Sequence, residues 1–184
     1  MISPDYTLFF ANKVVKSSIC ANISSEDMNI YVYYLGIDFK LSKFIFEGSR
    51  YIFNVRCVSE NRVDNYSLWY NGGSGKPILE DDSNLEYCYG YLSFLGQRTL
   101  CISKRKKEIL KIKVKTTDKN DTFVCKNEIV AELFPCSALN QLTMQNSDCL
   151  QIMVKDKSIF DMRILLLYTI WKIIDKMDIY SCGI

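Results

Sequence analysis

Asp161-Met162-Arg163-Ile164-Leu165-Leu166-Leu167-Tyr168-Thr169-Ile170-Trp171-Lys172-Ile173-Ile174-Asp175-Lys176-Met177 is the stretch whose reading decides the fold. From Met162 to Ile174 only Arg163, Thr169 and Lys172 are polar. A helix with so few polar residues has no wide face for water and is normally surrounded by protein. Spanning a bilayer takes about 20 predominantly apolar residues. This run is shorter, carries Arg163 and Lys172, and is closed by Asp161 and Asp175. The sequence therefore predicts a core helix over 161–177, with Asp161 capping its first turn. Leu166, Ile170, Trp171 and Ile174 are expected to be almost fully buried.

The remainder reads as strands. The chain has 184 residues, 48% of them hydrophobic, with 12 Tyr and 10 Phe against 3 Pro and 8 Gly. That composition excludes disorder and favours β structure. Expected strands include Tyr6–Phe10, Ile19–Ala21 joined to Val14-Val15, Asn29–Leu35 broken by Gly36, Tyr51–Val58 after a hairpin turn at Glu47-Gly48-Ser49-Arg50, Val63–Tyr70, Tyr87–Leu95 and Thr99–Ser103. Further along come Leu110–Lys115, Thr122–Cys125, a corner at Lys126-Asn127, Glu128–Phe134, a loop from Pro135 to Asn146, and Cys149–Val154. The expected architecture is mainly β with a C-terminal helix: a single-domain β-barrel, or a strongly curved antiparallel sheet, packed around a buried apolar helix. Residues 1–178 form that domain in this reading and 179–184 a tail.

Little in the sequence points to catalysis. With no histidine, the commonest general base and metal ligand is missing. The cluster Asn71-Gly72-Gly73-Ser74-Gly75-Lys76-Pro77 has Tyr70 and Pro77 where a Walker loop needs Gly and Ser or Thr. Glu80-Asp81-Asp82-Ser83-Asn84-Leu85-Glu86 lacks the alternating ligands and central Gly of an EF-hand. Converging carboxylates remain as candidates in Glu128 with Glu132 and Asp156 with Asp161. The 8 cysteines have no CxxC spacing. The start Met1-Ile2-Ser3-Pro4-Asp5 has neither the basic region nor the apolar core of a signal peptide. Reduced cysteines in a cytoplasmic protein are the expectation, with no metal and no cofactor.

The strongest surface signal is basic. Net charge is only +2, yet Lys104, Arg105, Lys106, Lys107, Lys111, Lys113 and Lys115 are opposed locally by Glu108 alone. Leu110-Lys111-Ile112-Lys113-Val114-Lys115 alternates with period two, which predicts a half-buried strand with a positive outer face.

A barrel of strands can bury such a helix in its lumen. Leu100-Cys101-Ile102-Ser103-Lys104-Arg105-Lys106-Lys107, Asn127-Glu128-Ile129-Val130-Ala131-Glu132-Leu133 and the apolar helix between Asp161 and Asp175 resemble the Tubby C-terminal-like superfamily, which includes LURP-one-related proteins and phospholipid scramblases. Arg62–Tyr66 and Ser74–Leu79 are also similar to LURP-one segments. The resemblance covers about half of the chain and implies a 12-stranded barrel around a hydrophobic C-terminal helix. The shortness of the chain points instead to fewer strands.

Two functions are expected of such a chain, neither enzymatic. One is an accessory protein that docks on RNA, or on an acidic surface, of a large assembly such as a ribosome. It would use the basic patch and an insertable tail of Tyr180, Cys182 and Ile184. The other, which the resemblance implies, is a module that meets anionic phospholipid with the same patch. No DNA-specific motif is present.

Overall fold

A computed structural model describes residues 3–10, 19–42, 45–70, 77–83, 85–92, 97–105, 107–117 and 119–176. Twelve strands run in chain order: β1 (Tyr6–Phe10), β2 (Ile19–Ser24), β3 (Asn29–Ser42), β4 (Ile45–Cys57), β5 (Arg62–Tyr70), β6 (Pro77–Asp81), β7 (Glu86–Leu92), β8 (Gln97–Lys104), β9 (Lys107–Thr116), β10 (Asp121–Cys125), β11 (Glu128–Asn140) and β12 (Gln145–Val154). Helix α1 (Met162–Lys176) follows. Each strand pairs antiparallel with the next, and β12 pairs with β1, so the meander closes into a barrel. Closure leaves no sheet edge within the wall.

The helix is enclosed as its composition demands. Ile164 to Trp171, Ile173 and Ile174 are all buried, and Leu166, Ile170, Trp171 and Ile174 are at most 3% exposed. They share one core with inward residues of the wall such as Leu8, Val32, Phe53, Leu100, Ile112, Phe123 and Ile152. Asp161 caps the helix, its Oδ1 accepting from the Arg163 N–H at 2.9 Å and the Ile164 N–H at 3.3 Å. Inside, the Thr169 hydroxyl donates to the Leu165 carbonyl at 2.7 Å. Tyr168 donates to Asp121 of β10 at 2.5 Å, and Lys172 Nζ lies 3.5 Å from the same carboxylate. This clamp fixes the rotation of α1 against one strand without leaving a buried charge unpaired. Among the described residues no helix is long and apolar enough to cross a membrane.

Several strand bounds differ from the expectation. Glu47-Gly48-Ser49-Arg50 is no hairpin turn; it lies inside β4, where Lys40 pairs with Glu47 and Ser42 with Ile45. Gly36 does not end β3. Both glycines lie where the β3–β4 register shifts, between the Tyr34 and Ile37 pairs and between the Asp38 and Lys40 pairs. A glycine in a strand marks a bulge as readily as a turn. Strand β6, with Pro77 at its start and acidic Glu80 and Asp81, has no apolar alternation and went unrecognised. Its end is pinned by Asp81, whose carboxylate accepts from Tyr87 at 2.6 Å, from both Ser83 donors and from the Leu85 N–H. The strand count of twelve also overturns the expectation of fewer strands. Nine of the eleven connections between consecutive strands have only two to four residues, which makes room for them.

The expected loop from Pro135 to Asn146 is largely strand. β11 pairs with β12 continuously from Ala131↔Val154 to Asn140↔Gln145, while its pairing with β10 stops at Leu133. Beyond that point the β10 side of β11 needs no donor, so Pro135 costs no ladder bond. Among the described residues, Ser137–Asn140 and Gln145–Asp148 pair only with each other. They form an arm tipped by exposed Leu139, Leu142 and Met144.

The enclosure has a direct test. Leu166→Asp puts an unpaired carboxylate in the lumen and is expected to abolish the folded circular-dichroism spectrum. Tyr168→Phe, which strands Asp121 without its hydroxyl donor, should fold but lose about 1–3 kcal/mol in urea unfolding.

Candidate functional site

The basic stretch forms the β8–β9 hairpin and the outward row of β9. Ile112 and Val114 point into the core and are fully buried, which turns Lys111, Lys113 and Lys115 outward, and all three are exposed. Alternate residues of an antiparallel strand lie about 7 Å apart, and the run from Lys107 to Lys115 spans roughly 25 Å. Lys104 pairs directly with Lys107 at the hairpin end, and Lys104, Arg105 and Lys107 are exposed. Lys106 and the tail residues Tyr180, Cys182 and Ile184 lie outside the described residues.

The row is poorly neutralised. Lys111 pairs with Cys101 of β8, Lys113 lies between Thr99 and Val124, and Lys115 pairs with Thr122, so no carboxylate is paired with them on either neighbouring strand. Glu108, 3.9 Å from Lys111, makes an exposed pair of small value. Among the described residues no ion pair joins Lys104, Arg105, Lys107, Lys113 or Lys115 to an acid. The acids on β11 are two strands away, roughly 10 Å, about one screening length at physiological salt.

The hairpin end is also locally unfavourable. Arg105 has φ 50°, in the left-handed region where a side chain with Cβ costs about 1–2 kcal/mol and where hairpins place Asn or Gly. Like charges directly opposite each other, as at Lys104 and Lys107, add repulsion. A turn that stability alone would write as Asn-Gly carries charge instead. The register shift between Ile102 and Ser103 leaves Ile109 as the extra residue of a bulge, 55% exposed within the basic run.

One cation was missed in the sequence. Because the barrel alternates up and down, the β8–β9 and β10–β11 turns share an end, and exposed Lys126, with φ 49°, joins Arg105 there. Its signal was the turn Lys126-Asn127 itself, whose two left-handed residues make a two-residue hairpin. Lys155 and Lys157 are committed elsewhere, to Glu132 at 2.5 Å and Asp5 at 2.9 Å.

Glu128 is exposed at the start of β11, and the other three candidate carboxylates are occupied structurally. Glu132 holds Lys155, Asp156 caps Ser158, and Asp161 caps α1 and holds Arg163. Asp81 in the acidic segment is desolvated by burial, yet the bonds from Tyr87, Ser83 and Leu85 prevail and hold its carboxyl below the usual range. Among the described residues no group of acids and cysteines is placed to hold a metal ion, and the described cysteines Cys20, Cys57, Cys101, Cys125, Cys136 and Cys149 carry free thiols. No family model, curated protein or solved structure matches the chain.

The unfavourable turn predicts a trade. Arg105→Gly should raise thermal stability by roughly 0.5–1 kcal/mol, since glycine adopts the left-handed region freely. It should at the same time weaken retention on a polyanion column, measured by the salt concentration of elution.

Proposed function

We propose that the protein is a non-enzymatic docking module that holds a phosphate-rich partner along β9, most concretely RNA exposed on a large cytoplasmic assembly such as a ribosome. The observation that carries this is the shape of the charge: Lys111, Lys113 and Lys115 form an outward row with uncharged residues beside them on both neighbouring strands, and beyond Glu108 the exposed Lys104, Arg105 and Lys107 add charge at the hairpin end. Cations spread over about 25 Å of one strand and its turn match a linear polyanion better than a single headgroup. Exposed Ile109 in the same run offers an apolar contact to a base or sugar. Such binding draws its free energy from counterion release and depends on salt. Tyr180, Cys182 and Ile184, outside the described residues, are the second contact in this proposal.

A second reading, binding of anionic phospholipid, is favoured by the architecture. A closed 12-stranded barrel around a C-terminal helix is what a Tubby-like relationship implies. It ranks second because a fold hosts many functions and the site decides among them.

The triple variant Lys111→Glu, Lys113→Glu and Lys115→Glu separates the readings. Its stability should stay within about 0.5 kcal/mol of the wild type, because the three side chains face water. Binding to single-stranded RNA should fall at least tenfold, and the slope of log K against log salt should drop by about two. Equal RNA binding by the variant would refute the RNA reading, and charge-dependent flotation with phosphatidylserine vesicles would support the lipid one.

A further inference from the structure

We propose that Cys136 and Cys149 form a dithiol site that oxidises reversibly to a cross-strand disulfide, stapling the base of the β11–β12 arm. The two residues are directly paired across the strands, and their Sγ atoms are 3.2 Å apart. Directly opposed residues of an antiparallel pair have Cα atoms about 4.5–5.5 Å apart, inside the window a disulfide accepts. The pairing is set by the hairpin: Asn140 pairs with Gln145 around the turn, and each cysteine lies four positions from that pair. The register cannot slip without turning Ile152 and Leu133, both buried and also paired, out of the core.

The two thiols differ in access, as stepwise exchange requires. Cys136 is half-buried, whereas Cys149 is 4% exposed. Both line a surface cleft of about 530 Å³ with Phe10, Pro135, Asp148, Leu150 and Lys172. Burial, and after it the contact with Cys136, pushes the Cys149 thiol up to about 12, so it stays protonated and does not start the reaction. A small disulfide such as oxidised glutathione is the oxidant. The Cys136 thiolate attacks one of its sulfurs, forming a mixed disulfide and expelling one glutathione thiolate. Cys149 gives its proton to a thiolate in the cleft and attacks Cys136 Sγ, expelling the second glutathione. The protein loses two electrons and two protons, and one disulfide of the oxidant becomes two thiols.

The staple lies where the arm leaves the wall. Outward of Cys136 and Cys149 the described strands pair only with each other, so the disulfide would hold an otherwise self-supported ribbon in register.

The full chain is equilibrated in glutathione buffers from reducing to oxidising, quenched in acid, unfolded, alkylated and mapped by mass spectrometry. The expected result is a peptide linking Cys136 to Cys149 that grows with the oxidised fraction and vanishes on reduction. Cys149→Ser should instead accumulate glutathione on Cys136, while Cys136→Ser should carry at least tenfold less on Cys149. Circular dichroism confirms that each variant is folded, and if one is not, the wild-type map alone decides. Both thiols remaining alkylated in the oxidising buffers, or Cys136 pairing with a cysteine other than Cys149, would overturn the proposal.

Discussion

Everything in this molecule follows from a helix that has no face for water. An amphipathic helix rests on one sheet; α1, buried from Ile164 to Trp171 and again at Ile173 and Ile174, needs protein all round. The wall supplies it by returning its first strand to its last. Tyr6 to Phe9 pair with Ile152 to Cys149, and Asp5 locks the seam: its N–H donates to the Ile152 carbonyl at 2.9 Å, its carboxylate accepts from the Val154 N–H at 2.8 Å, and Lys157 pairs with it. Among the described strands this is the single pairing that joins strands distant in sequence. Every other neighbour is a hairpin partner, so the seam bears the largest loop-closure entropy and the apolar gain of enclosing α1 is what opposes it.

The filled lumen turns the proposed binding outward. Barrels of this size otherwise offer an interior for a ligand, but here Leu165, Tyr168, Ile170 and Trp171 occupy it. What is left for recognition is the outer wall, the rims and the arm. On the wall the buried faces of Ile112 and Val114 hold β9 rigid, so the outward lysines are displayed in a fixed row instead of on a flexible loop. The Asp121–Tyr168–Lys172 clamp ties the next strand, β10, to the helix. The basic face is thus braced directly by the core.

The sequence was most legible where one periodicity was unopposed. The helix, the lysine row and the Lys126-Asn127 corner each follow from a local rule. It misled where one residue type serves two purposes: Gly36 and Gly48 read as breaks but relieve register shifts in one long β3–β4 hairpin. Pro135 read as a loop because its tolerance depends on the β10–β11 pairing stopping at Leu133, a fact of three-dimensional pairing. The lysines were found because they are adjacent in sequence, whereas Cys136 and Cys149 are adjacent only through hairpin register. The turn around residues 141–144 would have supplied that register had the stretch been read as strand.

Native-state hydrogen exchange resolved by residue tests the enclosure most directly. If the barrel must open before water reaches the helix, the amides of Leu167 to Ile174 exchange only through global unfolding, with the free energy and denaturant dependence of the most protected amides of β1 and β12. Exchange of those helix amides through a smaller opening, while β1 and β12 stay protected, would mean that α1 leaves its place without breaking the seam and would contradict the account.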